Sequence, residues 1–151
     1  MNGPLISTEA ISALLKGLGV NTTNPRVRIA ELILGRREHL SAEQVFALVN
    51  QMRPRISRAT VYNTLNLFVD RKLLQTVISQ AGVTLYDPNT EPHLHLHDLE
   101  TDTLYDIPLD AIKDFPIHQV ADGFEVERID LTLRGRKVAQ DDDRPRAAAL
   151  V

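Results

Sequence analysis

Between His93 and Asp98 the sequence reads His-Leu-His-Leu-His-Asp. Successive side chains of a strand point to opposite faces. The alternation therefore predicts a strand with His93, His95 and His97 on one face and Leu94 and Leu96 on the other. Imidazoles two residues apart on one face can grip one divalent ion. The competing reading is a solvated edge strand that is merely rich in histidine; the Leu face argues instead for a strand laid on a core. The 151-residue chain has no Cys, which excludes disulfides, thiolate zinc sites and a Cys nucleophile. Any metal is left to the five His and the carboxylates. Asp106, on the next predicted strand, and Asp87, just upstream of the run, are within plausible reach.

Upstream of residue 70 the hydrophobic period is helical. Ser7–Leu18 predicts a helix with Ile11, Leu14, Leu15 and Leu18 inward and Gly19 as its stop. Asn24-Pro25 opens a second helix, Arg26–Leu34, which Gly35 closes. Ser41 caps a third, with Val45, Phe46, Leu48 and Val49 as its buried stripe. Arg53-Pro54-Arg55 is a turn that no helix crosses. Ser57 caps a fourth helix running to about Asp70, and Leu74–Ser79 and Val83–Tyr86 form a hairpin across Gln80-Ala81-Gly82. This order of elements is a winged helix-turn-helix with 57–70 as the recognition helix. Val61, Leu65 and Phe68 face inward. Arg58, Tyr62 and Asn66 form an outer stripe with Asn63 beside it, residue types that read base edges and phosphates.

A plain helical hairpin with a polar face also fits that pattern, and charge separates the two readings. Residues 1–86 hold ten Lys/Arg against five Asp/Glu, and residues 87–151 hold seven against fifteen. The halves carry +5 and −8, together the net −3, so the basic half suits an anionic partner such as double-stranded DNA.

The second half predicts strands His93–Leu99 and Thr103–Ile107, a helix from Pro108 to about Ala121, and a strand Phe124–Leu133. A unit this small buries little alone, so homodimerisation is expected to complete its core. The expected fold class is α+β: an N-terminal winged helix-turn-helix domain followed by a small α/β dimerisation domain. The expected boundaries are 1–87 for DNA binding, 88–92 for a hinge and 93–138 for dimerisation and metal sensing. A disordered tail is expected over 139–151. No run of 18 apolar residues and no signal peptide is present, so no membrane partner and a cytoplasmic location are expected.

Four stretches together carry a family resemblance. Ser57–Phe68, SRATVYNTLNLF, resembles the recognition-helix signature of the ferric uptake regulator family. Leu15–Leu34 is similar to its opening helix pair, with Arg26 at the family's Arg. His39-Leu-Ser-Ala followed by Glu43 is similar to the start of its next helix, and His93–Leu96 to its multi-His strand. The resemblance covers residues 10–137. It implies a regulatory metal site on His39, Asp87, His93, His95 and Asp106, with Glu91 as the rival of Asp87. It also implies DNA contacts from Arg26, Arg58, Thr60, Tyr62 and Asn63. The function implied is a metal-dependent repressor, not an enzyme, that binds inverted-repeat operators as a dimer. One divalent ion per protomer is expected, and a sulfur-free donor set suits Fe(II) or Mn(II), with Zn(II) able to substitute.

Departures from the family pattern carry information too. Asp98 and Thr101 stand where members with a structural zinc site have Cys-x-x-Cys, and Arg136 and Lys137 follow Gly135 where a further Cys is expected. No structural zinc site is therefore expected. A second His/Asp site is expected to be lost, because Pro92, Leu94 and Ile129 hold its positions. Asn63 in place of Arg resembles the iron response regulator branch, whose Cys-containing haem motif is impossible here. Asp106, shorter than the Glu of many iron sensors, resembles the peroxide-sensing branch. His97 is expected as a bystander, His118 on the solvated side of helix 108–121, and haem at His93–His97 ranks below a directly bound metal. The alternative from another class is a metal-dependent hydrolase, since His-x-His-x-His-Asp is superficially similar to a metallo-β-lactamase-like motif. That reading needs more downstream His than His118 and leaves SRATVYNTL unexplained.

Overall fold

The chain divides into two units, Met1–Thr90 and Glu91–Val151. The computed structural model describes residues 6–36, 38–51, 55–112 and 131–136. The first unit holds helices α1 (Thr8–Gly17), α2 (Asn24–Arg36), α3 (Ala42–Val49) and α4 (Arg58–Asp70). Serine caps set three of their starts. Ser7 Oγ accepts from Ala10 N, Ser57 Oγ accepts from Thr60 N, and Ser41 forms a reciprocal capping box with Gln44. Such a cap contributes about 1 kcal/mol by satisfying amide groups that have no partner in the first turn.

Ile11 and Leu15 of α1, Ile29 and Ile33 of α2, Val45 of α3, and Val61, Leu65 and Phe68 of α4 share one buried core. Of the expected α1 stripe, Leu14 is 41% exposed and Leu18 half-buried, because only one i, i+4 row of this short helix is covered. The second helix does not stop at Gly35 but runs through it to Arg36. A glycine ends a helix only where the backbone turns left-handed; Gly19 does so, with φ +68°, and Gly35 does not. The expected turn at Arg53-Pro54 lies outside the described residues. Across it, Asn50 closes the chain on itself, donating to Ile56 O at 2.9 Å and accepting from Ile56 N at 2.6 Å.

Strands β1 (Leu40–Ser41), β2 (Gln75–Ile78) and β3 (Thr84–Asp87) form an antiparallel sheet in the order β1-β3-β2. The hairpin is as the sequence predicts, while β1 is an addition to it.

In the second unit, β4 (His93–Asp98) lies between β5 (Thr103–Pro108), antiparallel, and β6 (Thr132–Gly135), parallel. Pro108 does not open a helix. It is the last residue of β5, opposite His93, at an edge where its missing N–H breaks no ladder. A 3-10 turn, Leu109–Ile112, follows. The rest of the expected helix with His118, the strand before residue 131 and the tail 139–151 lie outside the described residues.

Candidate metal centre and nucleic-acid interface

The sequence-predicted ligands of the second unit come together on β4 and β5. His93 and His95 share a strand face, and the register His95↔Asp106 brings the carboxylate beside them. His93 Nε2 lies 2.9 Å from His95 Nε2 and 3.4 Å from Asp106 Oδ1. The two rings meet edge to face, centroids 4.5 Å apart. His93 Nδ1 sits 2.7 Å from the carbonyl oxygen of Glu91. A carbonyl only accepts, so Nδ1 carries the ring proton and Nε2 keeps its lone pair for the cluster. Orienting a ligand imidazole through its other nitrogen is how metal sites are supported. Glu91, the rival of Asp87, thus enters through its backbone. The side chain of His93 is 5% exposed and that of Asp106 35%. Two imidazoles and a carboxylate with no sulfur fit a divalent ion such as Fe(II), Mn(II) or Zn(II).

His39 and Asp87 meet within the first unit. The register Leu40↔Tyr86 sets the preceding residue, His39, against the following one, Asp87. Their nearest atoms, His39 Nε2 and Asp87 Oδ2, are 3.6 Å apart, with side chains 5% and 1% exposed. Asp87 is fixed from two sides: Oδ1 accepts from Asn89 N at 2.8 Å and Oδ2 from Gln75 Nε2 at 3.0 Å. Gln75 is its cross-strand neighbour and also donates to Asn89 O.

His97, the expected bystander, is 2.6 Å from Asp102 Oδ1 through its Nε2. Asp102 takes a left-handed backbone, φ 53°, at the β4–β5 turn, which Asp tolerates better than most residues.

On α4, Arg58, Tyr62, Asn63 and Asn66 are exposed while Val61, Leu65 and Phe68 are fully buried. Asn66 Oδ1 accepts from Tyr86 OH of the wing at 3.2 Å. Burial, and secondarily the nearby Tyr62, raise the Tyr86 phenol above its ordinary value. Thr60 is tied into the helix cap, its Oγ1 2.8 Å from Ser57 Oγ. Arg26 donates to Asn21 O at 3.2 Å, so it also holds the α1–α2 loop. Gln75 and Glu43, both bonded to expected site residues, were not singled out for those roles from sequence. For Gln75 the usable signal was the hairpin register, which pairs it with Asp87.

A winged helix-turn-helix followed by a small α/β unit bearing imidazole and carboxylate donors defines a class, the winged-helix metalloregulators. The model of the ferric uptake regulator family matches residues 17–134, and the chain belongs to that family. Its members are transcriptional regulators rather than enzymes, and the hydrolase reading has no support. The chain is 36% identical over 76 residues to the ferric uptake regulation protein of Bacillus subtilis, covering 50% of this chain and 51% of that one. Over 88 residues it is 30% identical to the peroxide-responsive repressor PerR of Staphylococcus epidermidis, covering 58% of each. It therefore spans little more than half the length of the curated relatives it matches. Among solved structures, the Vibrio cholerae ferric uptake regulator superposes with a TM-score of 0.69 at 26% identity, covering 83% of this chain and 98% of that one. A zinc-bound manganese uptake regulator gives 0.69 at 26% identity, covering 85% and 98%.

Proposed function

We propose that this chain is a metal-responsive repressor that binds inverted-repeat operator DNA as a homodimer. Its reading side chains are Arg58, Tyr62 and Asn63 of α4, with Arg26 and Thr60 in support. Its signal is one divalent ion per protomer, Fe(II) or Mn(II), with His39, Asp87, His93, His95 and Asp106 as ligands. Residues 1–87 serve DNA binding and 93–138 dimerisation and metal sensing, joined by 88–92, and the protein acts in the cytoplasm. The observation that carries the reading is the His93 ring, whose lone pair is aimed at His95 and Asp106 by the Glu91 carbonyl. When bound, the ion supplies the positive charge that these imidazoles and carboxylates are arranged to share.

The test uses a duplex selected from a random pool by Mn(II)-loaded protein. Its affinity is measured with and without Mn(II), for wild type and His95→Ala. Mn(II) should change wild-type affinity by about 5–150-fold, a coupling of about 1–3 kcal/mol, and leave the variant unchanged. Equal affinity in all four cases overturns metal response. Arg58→Ala should weaken binding by about 1–3 kcal/mol. Unchanged affinity of the Arg58→Ala, Tyr62→Ala double variant removes α4 as the reader.

Asp106 and the similarity to PerR favour peroxide as a second signal. Peroxide-treated Fe(II)-loaded protein should then gain oxygen on His39 or His93, and Mn(II)-loaded protein should not. Peptide mass spectrometry finding neither residue modified overturns this reading.

A further inference from the structure

Glu43 stands in the first turn of α3, where an acidic residue ordinarily favours the helix dipole. The capping box of that helix uses Gln44 instead, and the Glu43 carboxylate is engaged elsewhere. Its Oε2 accepts from Arg58 Nη1 and its Oε1 from Tyr62 OH at 3.0 Å. One turn along α3, the Phe46 ring lies under the same guanidinium, 4.8 Å from ring centre to Cζ. Both residues grasped by Glu43 are exposed and lie on the outer stripe of α4. Glu43, Arg58, Tyr62 and Phe46 thus form a brace on the surface of the first unit.

We propose that Glu43 is a specificity-determining positioning residue, holding Arg58 and Tyr62 in one arrangement and neutralising Arg58 until a matching duplex competes for it. The inference rests on α4 being the DNA-reading helix. Its physical basis is that an unbraced guanidinium takes any phosphate, and phosphate contacts give affinity without sequence information. A braced one leaves its carboxylate only where the duplex offers a matched acceptor, such as the paired acceptors of guanine. Glu43 therefore lowers affinity for arbitrary DNA more than affinity for the operator. The brace also raises the Tyr62 phenol above its ordinary value, first through the hydrogen bond to Glu43.

The experiment compares wild type, Glu43→Gln, Arg58→Ala and the double variant. The probes are a fixed-sequence 30-base-pair duplex over a salt series and a duplex selected from a random pool. Glu43→Gln should bind the fixed duplex more tightly, with a log–log salt slope steeper by about 0.9, the value of one further phosphate contact. The ratio of selected to fixed affinity should fall. In the Arg58→Ala background the same change should leave the slope where Arg58→Ala alone puts it. A slope unchanged by Glu43→Gln, or steepened equally with and without Arg58, overturns the proposal while leaving α4 as the reader. Arg58→Ala binding both duplexes like wild type overturns the reading of α4 and the proposal with it. Without DNA, ultraviolet titration of wild type and Glu43→Gln, each against its Tyr62→Phe counterpart, should show the Tyr62 phenol moving down in Glu43→Gln. An unmoved phenol overturns the brace itself.

Discussion

Among its described residues the first unit buries eighteen apolar side chains in one cluster. Among the described residues of the second unit the buried apolar side chain is Leu94, and the buried polar ones are His95, His97 and Asp98. Apolar burial is non-directional and stabilises whatever the neighbours' orientation. A buried polar group stabilises only when partnered, and costs free energy otherwise. Among the described residues the helical core is therefore held by area, and strand β4, like Asp87 of β3, by particular partners. His97 has Asp102, while Asp98 accepts from Glu100 N at 3.0 Å and Thr101 Oγ1 at 2.9 Å. Asp98 and Thr101 are the two positions at which zinc-stapled relatives are expected to carry cysteine, and here a hydrogen bond joins them. The difference teaches that, among the described residues, a change in the helical core removes area, whereas a change on β4, or at Asp87 of the first unit, removes a partner.

Removing area should do the most damage. Phe68→Ala should destabilise the first unit by about 3–5 kcal/mol, read by denaturant unfolding, with amide exchange in β4 unaltered. A loss below about 1 kcal/mol would break the contrast from its apolar side. Supplying a partner comes next. Mn(II) at about a hundred times its dissociation constant should stabilise the chain by about 2.7 kcal/mol, seen as a raised melting temperature that His95→Ala abolishes. Chelation should reverse the gain while leaving far-ultraviolet dichroism intact; unfolding on chelation would show that a metal is structural. Asp98→Ala removes the acceptor of the exposed Glu100 amide and Thr101 hydroxyl, a loss of about 0.5–1.5 kcal/mol for each hydrogen bond. Faster exchange confined to the β4–β5 turn should report it. The smallest effect sharpens the helical side: Ser41→Ala should lose the α3 cap at about 1 kcal/mol, measured as a shift of the denaturation midpoint.

The helices and β4 were legible because each announces itself by period and cap. Ser7, Ser41 and Ser57 each precede an apolar repeat, and His-Leu-His-Leu-His has no other regular reading than a strand. The gathering of His93 and His95 followed from the same alternation. What escaped has no local signal. Strand β1 is two residues long and exists because β3 offers it a partner, so His39 meets Asp87 through a long-range pairing. Pro108 reads as a helix start when taken alone, and only the β5 register makes it a strand end. Gly35 reads as a stop because its helical φ is not written in its identity. Glu43 looks like an ordinary dipole partner until α4 is packed beside it.

Ser41 does two jobs at once: it is the second residue of β1, opposite Leu85, and the cap of α3. His39 on one side of it and Glu43 on the other are therefore measured from a common origin. Substitution within this stretch changes one side chain at a time, but a change of length cannot be absorbed. One inserted residue must slip the strand by one place, which turns every following side chain to the other face, or must pull Ser41 off the helix start. Residues 39–43 are thus a ruler, in which the spacing rather than most of the letters sets where His39 and Glu43 fall. Among descendants of this chain, insertions and deletions should collect everywhere around it before they appear within it.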